Sequence, residues 1–460
     1  MHSGSHLFRE DRQMDSSSAA ASGKPGWTDG LTAMHWRTLF GGFLGWIFDG
    51  YEAMAPILVM APLLHSVLTP SQASNAAVYA GGVLGIALVG WGVGGLIGGV
   101  AADYFGRKRV MLASVLLYAL FSGATAFAHS FEMLGVMRFL TGIAMGGEWS
   151  TGIALVSESW PDHARAKGLS FLQSGYGWGT LLAAAIWYAL SRYAPSSPDN
   201  WRIMFLIGAL PALFVLYLRR GVDESEKWAV AIRNRQWSQT GPAGTLTETT
   251  SRPFPLRQLL ASSDTRSRML LSLLLSMVTS TGLWAVSSWL PAQTAALAQA
   301  AGLQDPALWG TKVSLAFTLG AIVAYLIAGF IIDRIGRRAF VCLTFAGSLI
   351  MTIVSYRIAS NALQLMWLAP IDGFFTLGCA YVWMAIYPAE LFVSSVRASA
   401  ISFIFNGARL IIWVFPIAAG ALVHRLGGIP HAALAMGSVY LLGVIAPWFL
   451  PETRDLPFPD

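Results

Sequence analysis

GGVAADYFGRKR, residues 98–109, ends an apolar, glycine-rich run with an acid, a glycine and three bases; AGFIIDRIGRRA, residues 328–339, repeats the pattern. Taken alone, each loop is a basic anchor at the end of an apolar segment. Charge alone does not explain why the Gly and Asp spacing recurs. Two more pairs follow: ESWPDHAR (158–165) matches ELFVSSVR (390–397), and DESEKW (223–228) matches PETRD (451–455). Asp103 and Asp333 stand 230 residues apart, Glu158 and Glu390 232, Glu224 and Glu452 228, so the chain reads as two halves of one plan.

What lies between these loops is apolar. The hydrophobic fraction is 55% and the charged fraction 12%, against about 25% charged in an ordinary soluble domain. A spanning helix needs about 20 mostly apolar residues. Segments of that kind fall near 36–64, 81–102, 110–128, 132–156, 168–193, 202–218, 269–290, 310–332, 339–356, 363–387, 396–423 and 431–449. The expected class is an all-α integral membrane protein with twelve transmembrane helices in two pseudo-symmetric six-helix halves, 36–218 and 269–450. Residues 1–35 read as a disordered tail without a signal-peptide core, 219–268 as a linker and 451–460 as a second tail.

The high pI, about 9.4, reflects topology rather than a nucleic-acid partner. Counted inside first, most of the 30 Lys and Arg residues fall at 9–37, 107–109, 165–167, 219–268, 334–338, 397 and 454. Outer loops hold only Arg192, Arg202, Lys312, Arg357 and Arg425, which puts both termini in the cytoplasm. Cys342 and Cys379 lie inside spans and the eight histidines are scattered, so no disulfide framework, metal site or cofactor site is expected.

Six ionisable residues fall inside spans: Asp49, Glu52, Arg138, Glu148, Asp372 and Arg409. A charge at bilayer depth costs roughly 2.5 to 3.5 kcal/mol even on lenient scales, so each needs a partner or an aqueous cavity. Asp49 and Glu52 are three apart in GWIFDGYE and share a helix face. Two carboxylates that close in low dielectric do not both stay ionised cheaply, and one is expected to hold a proton. Arg138, Gly142 and Gly146 make a small-residue stripe where another helix can approach. Arg138 and Glu148 stand about 15 Å apart along their helix, on a common side but out of mutual reach. Arg409, in FNGARLIIW, either pairs with Asp372 or a first-helix acid, or offers a fork to a substrate carboxylate.

With these residues the chain resembles the major facilitator superfamily over essentially its whole length. Gly99, Asp103, Gly106, Arg107 and Lys108 match its loop signature, and Gly329, Asp333, Arg334, Gly336, Arg337 and Arg338 match the second copy; Tyr104 stands where a base is usual. The resemblance implies a bacterial inner-membrane carrier, monomeric, with no enzymatic activity, that rocks two halves about a midplane site. Gating is expected from Gly99, Asp103, Gly106, Arg107, Lys108, Glu158, Arg165, Gly329, Asp333, Gly336, Arg337, Glu390 and Arg397. Asp103 can meet the positive end of a neighbouring helix, and Arg107 and Arg109 can reach Glu158.

Asp-Gly-Tyr-acid in the first helix, GGEW in the fourth and Asn-Gly-x-Arg in the eleventh resemble carboxylate:proton symporters of the aromatic-acid and sialate/lactate types. That resemblance implies proton coupling at Asp49, Glu52, Arg138 and Glu148. Arg409, Asn406, Tyr51, Gln173, Trp284, Asp372 and Trp383 are the substrate candidates, with Trp46, Tyr176, Trp178, Ser287, Ser288 and Trp413 beside them. The expected partners are a small organic anion, protons and the lipid bilayer. Three alternatives stand: a sugar porter of the same fold, for which the amides are too few; a drug:proton antiporter, against which SGYGWGTLLA lacks Gly-Pro; and a transporter-like nutrient sensor.

Overall fold

The long apolar runs of this chain fold as helices, which carry glycines and, at Pro56, Pro370 and Pro388, prolines within them. The structure, a computed structural model, describes residues 26–193, 197, 199–234, 253–412, 422–423 and 425–459. Most of the expected N-terminal tail, the middle of the linker and Trp413 lie outside the described residues.

The first half contains α1 (Ala33–Leu58), α2 (Ala76–Phe105), α3 (Arg107–Thr125), α4 (Phe131–Ser159), α5 (Asp162–Tyr193) and α6 (Asn200–Ile207 with Pro211–Gly221). The second contains α7 (Ser263–Thr281, running on through Gly282–Val286 to Leu290–Ala300) and α8 (Pro306–Ile335). It continues with α9 (Arg337–Ile353), α10 (Ala362–Gly373 through Phe374–Cys379 to Ala380–Leu391), α11 (Arg397–Ile412) and α12 (Ile429–Gly437 with Tyr440–Ile445). A short linker helix, Glu226–Arg233, follows α6. Among the described residues, six helices are long and apolar enough to span a bilayer by length and composition, and a seventh joins them if the bent pair Ala33–Leu58 and Met60–Val67 is one span. In α4 the apolar run is broken by Arg138 and Glu148. The twelve-helix, two-half architecture is the one expected, and its loops near 105, 160, 336 and 394 share one end of the bundle, called here the basic face.

Glycine sets how closely α2 and α4 pack. A Cβ at Gly94 would stand 2.0 Å from the Ile143 carbonyl, at Gly98 2.3 Å from Gly147 Cα, at Gly142 2.3 Å from the Ala87 carbonyl, and at Gly146 2.1 Å from Gly95 N. Without an apolar driving force between helices in lipid, contact at backbone distance supplies the attraction.

The duplicated loops take the same shape in both halves. Gly106 (φ 102°) and Gly336 (φ 90°) turn the chain from α2 into α3 and from α8 into α9, in a backbone region that side chains resist. The next helix in each case starts with free N–H groups, and an acid from beyond the sixth helix of that half meets them. Glu224 accepts from Arg107 N (2.9 Å) and Lys108 N (3.2 Å); Glu452 accepts from Arg337 N (2.9 Å) and Arg338 N (3.1 Å). Burial would raise the Glu452 carboxyl, but the N–H groups of Arg337, Arg338 and Arg454 and the Arg337 charge outweigh it and hold it below the ordinary glutamate range.

Gly146→Ala forces α2 and α4 apart and should cost about 1 to 3 kcal/mol. Gly152→Ala, whose Cβ would meet nothing closer than 3.6 Å, should be tolerated. Thermal melting in detergent separates the two, and equal melting temperatures would contradict the close-packing account.

Candidate functional site

At the basic face the two halves are joined by buried charge. Glu158, at the end of α4, takes both guanidinium arms of Arg107 (Nε to Oε2 3.2 Å, Nη2 to Oε1 3.0 Å). It also accepts from Ser394 (2.7 Å) and Arg397 (2.8 Å) of the other half. Arg107 in turn donates to the Ser394 carbonyl (2.6 Å). Asp103 ion-pairs with Arg107 (3.1 Å) and accepts from the first N–H groups of α11, Ala398 (3.3 Å) and Ser399 (2.9 Å). That is a carboxylate at the positive end of a helix. The glycines of the motif are points of contact between halves: a Cβ at Gly99 would stand 2.4 Å from Ser402 Cβ, and one at Gly329 2.7 Å from the Ala166 carbonyl.

The second copy is wired differently. Arg337 pairs with Glu390 (2.7 Å) and Asp333 (3.3 Å) inside its own half, while Asp333 crosses to Lys167 of α5 (2.5 Å). Arg165 folds back on the Ser157 and Trp160 carbonyls and on Asp162. Arg109, expected beside Arg107 on Glu158, is exposed instead. Glu158 already holds two guanidinium groups and a hydroxyl, and one helical step turns Arg109 away.

Deeper in the bundle, α1 presents its two acids to different levels of α4. Glu52 accepts from Arg138 (3.2 Å) and from Ser122 of α3. It packs on Gly208, where a Cβ would stand 2.0 Å from Oε1. Arg138 also donates to the Thr125 (2.8 Å) and Thr141 (3.0 Å) hydroxyls and lies 4.7 Å from the Phe205 ring. Asp49, one turn away, faces Glu148, and the two buried carboxyls lie side by side. Among the described residues, none of those four oxygens accepts from a backbone N–H or a side-chain donor outside the pair. Gly45 gives Glu148 its room, since a Cβ there would stand 2.0 Å from Oε1. The carboxyl pair is therefore Asp49 with Glu148 rather than Asp49 with Glu52. The reason is the spacing on α4, about 15 Å between a cation and an acid, which sorts two α1 acids about 4.5 Å apart into an ion pair and an acid pair.

Between the halves lies a group of aromatic rings from six helices. Trp149 and Phe405 stack at 3.8 Å, Trp46 lies 5.9 Å from Trp149 and 5.2 Å from Tyr176, and Tyr381 lies 6.1 Å from Phe405. The Arg409 guanidinium sits 3.9 Å from the Phe405 ring and 4.0 Å from Trp91. Its hydrogen bond goes to Asn406 Oδ1 (3.2 Å), and Asp49, Tyr176 and Tyr381 are its electrostatic neighbours. Among the described residues Arg409 forms no ion pair within 4 Å. Gln173 spans the same zone, accepting from Trp149 Nε1 (2.8 Å) and donating to the Tyr381 carbonyl (2.9 Å).

The family described as sugar (and other) transporter matches residues 37–460. The chain belongs to the major facilitator superfamily. It is a multi-pass membrane transporter of that family and not an enzyme. It is 29% identical to a probable 4-methylmuconolactone transporter of Cupriavidus pinatubonensis, over 91% of each chain. It is 27% identical to a cis,cis-muconate transport protein of Acinetobacter baylyi (90% of this chain, 93% of the relative). The 3-(3-hydroxy-phenyl)propionate transporter of Escherichia coli is 28% identical, over 81% of each. The proton:xylose symporter XylE shares the fold, with a TM-score of 0.74 at 18% identity, covering 92% of this chain and 97% of that one.

Within this transporter the expected substrate residues divide. Arg409, Asn406 and Gln173 lie together in the aromatic zone. Tyr51 donates to the Met204 carbonyl (2.8 Å) between α1 and α6, and Trp383 is fully buried and donates to Thr279 (3.2 Å). Trp284 lies in the π-helical turn of α7, where its carbonyl accepts from Ser288. Asp372 accepts from Thr376 (2.6 Å) and faces Tyr356 and Tyr440, toward α9 and α12. It therefore does not pair with Arg409. Sequence reasoning passed over Trp91, Trp149, Tyr381, Phe405, Lys167 and Ser394. Trp149 and Phe405 each stand beside a residue already singled out, Glu148 and Asn406, and that adjacency was the available signal.

Glu158→Gln strips a full charge from between two buried guanidinium groups, a loss of about 3 to 5 kcal/mol for pairs of this kind. Maleimide labelling of an Ala166→Cys probe, with Cys342 and Cys379 replaced, should rise severalfold as the basic face loosens. Unchanged labelling would count against the latch.

Proposed function

We propose that this transporter carries a small planar organic anion together with a proton, with the basic face cytoplasmic and the two halves alternating access to the aromatic zone. The observation that carries this reading is Arg409, a buried guanidinium held between two aromatic rings with no ion-pair partner among the described residues. A cation in low dielectric without a counter-ion is costly, and a bound carboxylate supplies two acceptors in the geometry of its fork. Aromatic rings from six helices suit a flat, conjugated body. Muconate, named for one of the relatives, is a conjugated dicarboxylate, and 3-(3-hydroxyphenyl)propionate, named for another, joins a flat ring to a carboxylate through a saturated two-carbon arm. A sugar has less support, because the Gln173 amide is already committed to Trp149 and Tyr381.

Coupling follows from where the acids stand. Two buried carboxylates in contact repel, and a single proton between them converts repulsion into a hydrogen bond. The charge of Arg409 reaches Asp49. An ionised Asp49–Glu148 pair therefore competes with the substrate for Arg409 and repels its carboxylate. Once protonated, the pair stops competing, so proton and anion favour each other's binding and travel together. Glu52 and Arg138 form the second element, an ion pair whose strength depends on whether Glu52 is ionised.

In proteoliposomes with an inward proton gradient, wild type should accumulate labelled cis,cis-muconate or a related aromatic acid. Asp49→Asn and Glu148→Gln should still exchange substrate across the membrane but fail to concentrate it. Gradient-driven accumulation surviving in both would remove the pair from the coupling. Arg409→Lys keeps the charge and loses the fork, and should raise KM by about 10- to 100-fold, the range for losing a charge-assisted hydrogen bond of about 1.5 to 3 kcal/mol. An unchanged KM would place the carboxylate elsewhere.

A further inference from the structure

Residues 456–459 read LPFP, and the last side chain of the apolar core is found there. The preceding segment is tied to the second half. The Pro451 carbonyl accepts from Tyr387 (2.5 Å), Thr453 donates to Glu390 (2.5 Å), and Arg454 donates to the Arg334 carbonyl (2.8 Å). Asp455 then takes a left-handed backbone (φ 61°), an uncommon conformation for a residue with a side chain. Beyond that turn the chain reaches the seam between the halves.

Phe458 is 6% exposed although the four residues before it, 454–457, are exposed. Its ring is 3.7 Å from the Arg165 guanidinium at the start of α5, 4.1 Å from the Arg397 guanidinium at the start of α11, and 5.0 Å from Lys227 Nζ on the linker helix. Pro459 presents its carbonyl to Arg397. Arg165 belongs to the first half and Arg397 to the second, and Arg397 is also the residue that holds Glu158 across the seam. Two prolines flank the ring and restrict the backbone, so ordering the segment costs little entropy.

We infer that LPFP is a strap that docks into a three-cation pocket present only when the basic face is closed. One phenyl ring shared by cations from both halves is a contact that rocking must break, because Arg165 and Arg397 separate when the halves do. The strap buries an aromatic side chain and adds cation–π attraction at a junction where cations collect. Its release is then part of every opening of the basic face, and its occupancy biases the transporter toward the opposite opening. This inference rests on the rocking of two halves proposed above, but not on the identity of the substrate or on proton coupling.

Spin labels at Arg109→Cys and Ser267→Cys, with Cys342 and Cys379 replaced, report the distance between the halves at the basic face in the full chain. It is read with and without cis,cis-muconate. Phe458→Ala should raise the open-to-closed ratio on the order of tenfold. Phe458→Leu should fall between Ala and wild type, and Phe458→Trp should match wild type, because only the ring face meets all three cations. A Phe458→Ala ratio equal to wild type, at an unchanged melting temperature, overturns the strap. A wild-type protein that shows one distance under every condition overturns the rocking of the halves, and the strap with it.

Discussion

One buried carboxylate joins the two halves of this transporter. Glu158 is held by Arg107 from its own half and by Arg397 and Ser394 from the other, all out of reach of water. Charges removed from water gain little net stability when paired but lose a great deal when a partner leaves. Such a junction resists partial separation: it is either complete or replaced by hydration of every member. On the function proposed above, that is the behaviour required of a gate with two states, and the features around it fit that role. Gly99 and Gly329 bring opposite halves to backbone distance, Asp103 meets the start of α11, and Glu224 fixes the turn that points Arg107 inward.

The same physics, placed deeper, sorts the two acids of α1. Along α4 a cation and an acid lie at different depths, and α1 brings one acid to each. Glu52 is satisfied by Arg138 of α4 and the Ser122 hydroxyl of α3. Asp49 is left facing another acid, with Arg409 of α11 as the cation acting on it. The asymmetry between the two α1 acids starts from what α4 presents to them, and α3 and α11 reinforce it. On the function proposed here, this places the proton and the substrate carboxylate under the influence of the same guanidinium.

Pseudo-symmetry accounts for the frame but not for its wiring. Gly106 and Gly336, Glu224 and Glu452, and Arg107 with Glu158 and Arg337 with Glu390 occupy matching places. Yet Glu158 crosses the seam while Glu390 stays in its own half, and Asp103 takes a helix end while Asp333 takes Lys167. Both copies lie at the basic face, so one junction is built from two unlike halves, and the differences fall on residues at the seam.

Much of this was legible in the sequence. Apolar runs of spanning length determine helices, because in lipid the backbone must satisfy its own hydrogen bonds. The repeated Gly-Asp-Gly-Arg loop marks the two halves and the end at which buried charge joins them, since turn geometry and basic anchoring are local properties. Intramembrane charges announce themselves by their cost, so Asp49, Glu52, Arg138, Glu148 and Arg409 were each identifiable. What the sequence could not determine was partnership. That Asp49 meets Glu148, that Asp372 turns toward α9 and α12, that Phe405 stacks on Trp149 beneath Arg409, and that Phe458 docks between Arg165 and Arg397 all depend on helices distant in the chain. Local chemistry decides which groups need a partner; only the packing of helices against one another decides which partner each receives.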